Sequence, residues 1–432
     1  MLTTEVTDIK SKVTAWFEAL PDGLVAEKQR KTALANFLEV GFPTIKNEDW
    51  KYTSVNKIVN LPYELSNGLA DNITQKNLSQ FPFTNLDAYY LVFVNGHYNS
   101  KLSNCQHTDN TITISHLQDQ ENEKLVEEYY NGVVKNDSGF VSLNTALATD
   151  GALIRLPSDK SLDKPLFLLF IADTRIKTPL IQPRNIIVTE RNNNLQLIEL
   201  FLSIGDNQSM TNSITEVICG ENTHIDYTKI HLEGDTNYHV ATTQFALQKD
   251  SSVSSHTLCI NGGFIRNNLN FILKDKNCNV LLNGLYIPNQ QQFIDNHTMV
   301  DHAAPECFSN ELYKGIVNDG ATAVFNGKIM VRRDAQKTNA YQRNMNILLS
   351  AEGSVNTKPQ LEIFADDVRC THGATTGQMD EEAVFYLRSR GLSEENARRL
   401  LVNAFVDEII EQLKVEELKK KLKKLVSAKL TR

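Results

Sequence analysis

The sequence predicts a mainly β protein: a stacked β-helix flanked by N-terminal and C-terminal α-helical regions. Three observations support this fold class. Short runs rich in Val, Ile, Thr, Phe and Leu fill the middle of the chain, these runs repeat loosely, and helical periodicity marks the two ends. We divide the chain into a helical region with its connection (1–88), a β-helix core (89–364) and a C-terminal helical domain (365–432).

The N-terminal region begins with an amphipathic pattern. Apolar residues recur at three- and four-residue steps from Ile9 to Leu20, and the Pro21–Gly23 segment ends the helix. A second apolar stripe follows and ends near Gly41. The polar stretch from Pro43 to Val55, "PTIKNEDWKYTSV", then predicts an ordered connection.

The central region contains five similar segments, in which a polar turn precedes a small or apolar residue and an alternating strand. They start at Cys219, Gln248, Lys274, Asn318 and Ser350, at intervals of 29, 26, 44 and 32 residues. Repeats of this length indicate units that bury their faces against one another. A β-sandwich is the alternative, but the uninterrupted series of short strands is long for one.

The C-terminal region returns to helical periodicity. Asp380 is a good N-cap, Gly391 suits the end of that helix, and Ser393 begins a longer one. The second helix carries a wide apolar stripe, which is either core or a docking surface for another subunit. The stripe comprises Ala397, Leu400, Leu401, Ala404, Phe405, Ile409, Ile410 and Leu413.

Composition limits the function classes. The net charge of −8 gives no reason to expect nucleic-acid binding, and neither a secretory nor a transmembrane segment is visible, so we expect no membrane partner. The six cysteines are scattered without a CxxC pair. That argues against a self-contained cluster site and fits a reducing cytoplasm.

Common catalytic signatures are absent from the sequence. The segment around Gly327 and Lys328 fails the P-loop pattern, and no GxSxG, HExxH or GxGxxG motif occurs. One weak metal-ligand candidate is the set His297, His302 and Cys307, which offers nitrogen and sulfur ligands. Its alternative is a group of satisfied polar residues on the strands.

Cys370 and His372 are two residues apart, after Asp366 and Asp367 and before "HGATTG". In a strand, alternation would place both side chains on one face. The residues alone leave two interpretations open, a ligand pair or a small buried thiol beside a turn-bonding histidine.

The run "KPQLEIFADDVRCTHGATTGQMDEEAVFYLRSRG", with "ELYKGIVNDGATAVFNGKIMVRRD" and "NEDWKYT" upstream, resembles the paired scaffold subunits of the SUF iron–sulfur cluster assembly system. The short N-terminal region without a CxxC motif is similar to the D-type branch of that family. The resemblance implies a right-handed parallel β-helix and a non-catalytic cytoplasmic scaffold for cluster assembly and iron acquisition.

The resemblance also implies partners: a B-type (SufB) scaffold subunit, two copies of a C-type (SufC) ATPase, and a homodimer when the chain is purified alone. It assigns His372, with Cys370 beside it, to a transient iron–sulfur cluster at the junction with the B-type subunit. The C-terminal helices, through Leu401, Phe405 and Ile409, are expected to dock the ATPase.

We expect neither cofactor nor metal in the isolated subunit, and the sequence leaves open whether a flavin binds the assembled complex. The alternative function is a β-helix enzyme acting on polysaccharide or transferring acyl groups. Such an enzyme needs paired carboxylates or a catalytic histidine in a cleft, and the sequence shows no such constellation.

Overall fold

A computed structural model describes residues 2–66, 73–105, 109–135 and 137–430. Its α-helices are α1 Leu2–Glu18, α2 Glu27–Val40, α3 Asn56–Val59, α4 Gln75–Leu78, α5 Glu123–Tyr129, α6 Gly139–Leu147, α7 Glu381–Ser389, α8 Glu394–Ile410 and α9 Glu416–Leu430. Short 3-10 helices span Glu48–Trp50 and Gln120–Asn122. In the described residues, no helix is both long and apolar enough to span a bilayer.

The strands before the regular coils are β1 Glu64–Leu65, β2 Tyr89–Val94, β3 His97–Tyr98, β4 Thr113–His116, β5 Ala152–Leu156, β6 Leu166–Asp173, β7 Pro179–Ile181 and β8 Arg184–Thr189. The coils continue through β9 Asn194–Ile204, β10 Ser209–Cys219, β11 His224–Leu232, β12 Asn237–Leu247, β13 Ser252–Asn261, β14 Phe264–Leu273 and β15 Asn279–Tyr286. The last strands are β16 Phe293–His302, β17 Phe308–Val317, β18 Thr322–Val331, β19 Thr338–Leu348, β20 Ser354–Ile363 and β21 Val368–Gln378.

From β8 onward, the even-numbered strands lie in one sheet and the odd-numbered strands in the other, and neighbouring strands pair in parallel within each sheet. One sheet runs β20-β18-β16-β14-β12-β10-β8, and the other runs β21-β19-β17-β15-β13-β11-β9-β6. The chain therefore winds through one strand of each sheet per coil and forms a β-solenoid of about 8 turns. The prediction of a mainly β, β-helical protein with helices at both ends is confirmed.

At one corner of the solenoid, successive coils each have a residue in the left-handed backbone conformation. In each case it lies two positions before the strand residue that begins the pairing with the preceding coil. Asn192, Asn222, Asp250 and Asn277 have φ between 53° and 61°, and Glu306 and Lys337 follow with φ of 60° and 61°. Asn and Asp tolerate this conformation best, because their short polar side chains bond locally. The polar turns of the sequence repeat are these corners.

The 44-residue interval in the sequence repeat has a structural cause. Cys219, Gln248 and Lys274 open corners that lead from the even-numbered to the odd-numbered sheet, whereas Asn318 and Ser350 open corners on the opposite side. Because paired strands such as those at Phe264 and Phe293 are 29 residues apart, 44 residues correspond to one and a half coils. The five segments of the sequence repeat therefore do not all start at the same corner of the solenoid.

Apolar side chains fill the space between the two sheets in stacked columns, with Phe170 on Phe201 at 4.8 Å and Phe245 on Phe271 at 4.6 Å between ring centroids. The N-terminal helices cover the outer face of the even-numbered sheet, where Phe37 and Trp50 join its core. Helices α8 and α9 cover the outer face of the odd-numbered sheet. Each sheet thus buries both faces over most of its length.

The predicted end of the β-helix needs a correction. The sequence division assigned residues 365–378 to the helical domain, but β21 pairs with β19 along its whole length and is the last strand of the odd-numbered sheet. The polar composition of β21 concealed it, because the strand lacks the buried apolar alternation of the earlier coils.

Candidate functional site

The solenoid ends in an uncovered pair of strands. Both β20 and β21 are terminal in their sheets, and in the part of the chain that the structure describes no strand pairs with their outer edges. An uncovered edge presents backbone N–H and C=O groups that another sheet can pair with. The last coil is therefore an open end of the solenoid.

Cys370 and His372 lie on β21 in the row that faces the solenoid interior. Their register partners on β19 are Ala340 and Gln342, both buried between the sheets. At the open end no further coil covers this row, so Cys370 is half-buried and His372 is exposed. The expectation that alternation places both side chains on one face is thus met by their register.

Burial affects the thiol of Cys370. Its side chain packs at the edge of a small apolar cluster that includes Ile329, Val331 and Ala340. Desolvation there raises the pKa of Cys370. The group is accordingly a neutral thiol in the isolated chain and becomes a better metal ligand only if a partner or an ion stabilises the thiolate.

A polar column continues inward from His372. Gln342 lies directly beneath His372 in register, and Glu311 lies beneath Gln342. The Gln342 Nε2 donates to Glu311 Oε2 at 2.7 Å, whereas Glu311 Oε1 and Gln342 Oε1 have no hydrogen-bond partner among the described residues. Burial raises the pKa of Glu311 to about 7. A proton-exchanging group therefore lies two coils, roughly 10 Å, below the open end.

The weak metal-ligand candidate is not supported by the geometry. His297 Nε2 lies 3.2 Å from Asp295, which also pairs with the buried Arg266. His302 Nε2 lies 2.9 Å from the Ser309 hydroxyl, on the opposite face of the same strand from His297. The Cys307 thiol donates to backbone carbonyls. The three side chains therefore do not converge on one point.

The apolar stripe of α8 is mostly core. Ile409 is fully buried against the outer face of the odd-numbered sheet, and Phe405 is half-buried in the same cluster. Phe405 is held further by Lys314, whose ammonium lies 4.3 Å from its ring centroid. Leu401 is half-buried. Ile409 therefore does not face solvent in the chain alone, and the docking role expected for Leu401, Phe405 and Ile409 stays a prediction.

Other apolar side chains of the C-terminal region do face solvent. Phe385 is 72% exposed and Tyr386 is 58% exposed on α7, and Leu400 is 49% exposed on α8. A single exposed apolar residue needs no explanation, but two adjacent exposed aromatic residues on a short helix favour a binding surface. We call Phe385, Tyr386 and Leu400 the helical apolar surface.

One buried cluster was missed from the sequence. His231, Glu233 and His239 meet at the connection from β11 to β12, and their ligand atoms lie within 4.8 Å of one another. The signal was the segment "HLEGDTNYH", in which His231 and Glu233 are two residues apart at a strand end.

Comparisons with known proteins agree with this architecture. A family model described as the SufBD core domain of the SUF system for FeS cluster assembly matches residues 170–405, and one described as the SufBD protein N-terminal region matches residues 22–168. A SufBD family protein of Synechocystis is 30% identical over 94% of this chain and 91% of its own length.

The chain belongs to the SufBD family of iron–sulfur cluster assembly proteins. Two of the similar proteins are named SufD. The Escherichia coli SufD is 31% identical over 94% of this chain and 93% of its own length. The Bacillus subtilis SufD is 26% identical over 72% of each chain.

Proposed function

We propose that this chain is a non-catalytic, cytoplasmic scaffold subunit of an iron–sulfur cluster assembly complex. Its open solenoid end pairs with a B-type subunit, and its helical apolar surface docks a C-type ATPase. The observation that carries the proposal is the placement of Cys370 and His372 on the inward row of the terminal strand. Both residues would lie at the junction once a partner covers that end.

Backbone geometry supports pairing at the open end. A partner solenoid of the same width would continue both parallel sheets by strand addition to β20 and β21. Such a contact also buries the half-buried Cys370 and the exposed His372. Without the B-type subunit, the same edges would pair with a second copy of this chain, which is the basis for a homodimer of the isolated protein.

Ligand number supports a shared site for the cluster, which is the cargo of the complex. Thiolate and imidazole are suitable ligands for iron–sulfur intermediates, and a cluster normally takes about four of them. Cys370 and His372 supply two at most. The remaining ligands would come from the partner subunit, so we place the cluster precursor at the junction and not on this chain alone.

The helical apolar surface replaces Leu401, Phe405 and Ile409 as the proposed ATPase contact. Aromatic anchors dominate binding energy when a partner desolvates them. Phe385 and Tyr386 are available for this role, whereas Ile409 is already buried within the chain. The acidic residues Glu381 and Glu382 lie in the first turn of α7, where their charge would help to orient the partner.

Pairing is tested by co-expressing the tagged chain with B-type and C-type proteins and measuring the recovered complex by native mass spectrometry. Ala374→Arg places a charged side chain on the inward row of β21, where a partner coil would stack. We expect at least a tenfold loss of B-type subunit. Thr371→Arg, on the outward row of the same strand, is the matched control. Equal recovery with both variants contradicts pairing at the open end.

A further inference from the structure

A buried triad lies at the connection from β11 to β12. His231 ends the inward row of β11, Glu233 belongs to the turn, and His239 lies near the start of β12. The three residues are between 0% and 1% exposed. The turn that carries Glu233 continues through the exposed Asp235 and Thr236, so one surface turn separates the triad from solvent.

The triad has the dimensions of a metal site. Glu233 Oε2 lies 2.8 Å from His239 Nδ1 and 3.3 Å from His231 Nδ1. With metal–ligand bonds of about 2.0–2.2 Å, neighbouring ligand atoms around one ion are separated by roughly 3.0–3.5 Å. Only small side-chain shifts are therefore needed to place one ion between the three atoms.

Neighbouring groups orient both imidazole rings. His231 Nε2 lies 3.0 Å from Asn267 Oδ1, and the Asn267 amide nitrogen donates to the Cys259 thiol at 3.2 Å. His239 Nε2 lies 2.9 Å from the Ser213 hydroxyl. In protein metal sites the second ring nitrogen of a ligating histidine is held in this way, which fixes the nitrogen that faces the ion.

The triad lacks a positive species between two of its hydrogen-bond acceptors. Because the Asn267 oxygen accepts from His231 Nε2–H, a neutral His231 directs its Nδ1 lone pair at the Glu233 carboxylate, and two acceptors then face each other. The nearby Lys229 is engaged by Glu199 at 3.2 Å and by Thr243 at 2.7 Å. A positive species between the acceptors, a proton or a metal ion, resolves the conflict.

Burial makes the histidines suitable as ligands. Desolvation lowers the pKa of His231 to about 4 and also lowers that of His239, so both rings are neutral near pH 7. Desolvation by burial raises the pKa of Glu233. A bound divalent ion would supply positive charge beside the Glu233 carboxylate.

We propose that His231, Glu233 and His239 form a buried site for a divalent first-row transition metal ion. Two imidazoles and one carboxylate leave further coordination positions open and are the ligand set that non-haem ferrous iron takes in proteins. Aspartate, serine and asparagine side chains elsewhere in the corner are not required as ligands. The site is distinct from the junction at Cys370 and His372, because it lies several coils away on β11 and β12.

The test uses the full chain alone, freed of metal and titrated anaerobically with Fe²⁺ or Co²⁺ in equilibrium dialysis. We expect one ion per chain, and X-ray absorption of the loaded wild type should show two imidazoles in a nitrogen and oxygen shell. Absence of stoichiometric binding, or a sulfur ligand in that shell, overturns the proposal. This readout needs neither partner subunits nor cluster formation, so it fails or succeeds independently of the scaffold role.

Variants locate the ion. Glu233→Gln keeps the shape of the side chain and removes its charge, and we expect it to weaken binding at least a hundredfold, with His239→Gln similar. His302→Gln is the control, since His302 is equally buried and lies outside the triad, with its Nε2 at 2.9 Å from the Ser309 hydroxyl. A metal-dependent rise in thermal midpoint should appear in the wild type and the control but not in the triad variants. Unchanged binding in Glu233→Gln contradicts the site.

Discussion

A single residue beneath the open end, Glu311, makes the stability of the folded chain depend on pH. Its carboxyl group is buried under Gln342, and burial raises its pKa to about 7. The folded chain therefore retains a proton that the unfolded chain releases near pH 4.5. The stabilisation of the folded chain that comes from this proton is fully present below about pH 4.5 and is lost as the pH rises through about 7.

Glu311→Gln mimics the protonated side chain at every pH. Relative to wild type, we expect little effect near pH 5 and a stabilisation approaching about 3 kcal/mol near pH 8, since each pKa unit is worth ~1.4 kcal/mol. Thermal midpoints followed by circular dichroism across this range provide the measurement. The exposed Glu352→Gln is the control, and a constant difference at all pH values contradicts the assigned protonation.

At the scale of elements, α8 is anchored to the solenoid and α7 is not. The buried face of α8 includes Val402, Val406 and Ile409, which pack on the odd-numbered sheet. On α7 only Val384 is buried, and the neighbouring aromatic residues face solvent. The two helices therefore respond differently to polar substitutions.

Phe385→Asp should leave the thermal midpoint within a few degrees of wild type and weaken ATPase capture by at least about 2 kcal/mol. Phe405→Asp should instead lower stability by roughly 3 kcal/mol or more, because it places a charge in a packed contact. Pull-down of the ATPase and thermal melts separate the two effects. Normal capture by a folded Phe385→Asp variant excludes the helical apolar surface as the docking site.

The sequence predicts those elements whose signals are local. Corners with Asn or Asp in the left-handed conformation were visible as polar turns, whereas those at Glu306 and Lys337 were not, because neither residue type marks such a turn. The register that brings His372 over Gln342 and Glu311 spans three coils, so no local pattern encodes it. Which side chains of α8 are buried and which face solvent depends on the sheet that the helix covers.

At the scale of the whole molecule, the described residues form a stack of coils whose last coil is uncovered. The sequence contains no P-loop, and the solenoid uses its interior for packing and polar columns. We expect the pure chain to bind no ATP and to gain nucleotide dependence only in a complex with the ATPase. Isothermal titration calorimetry of the chain alone checks this, and stoichiometric heat of ATP binding contradicts it.

The stacked architecture also separates assembly from cluster chemistry. The proposed pairing would use the edges of β20 and β21, whereas the proposed ligands are side chains on one row of β21. A change in His372 should therefore leave complex formation intact. Cys370→Ser should have a smaller effect than His372→Ala, because the thiol is half-buried and its pKa is raised.

Iron and acid-labile sulfide per purified complex test the central claim most directly, with the wild type, Cys370→Ser and His372→Ala prepared in parallel. We predict that His372→Ala gives a complex of normal composition and thermal midpoint in which iron and sulfide fall at least severalfold. Full cluster content in that variant would contradict the ligand role of His372, and a large drop in thermal midpoint would instead assign the residue to the structure of the terminal strand.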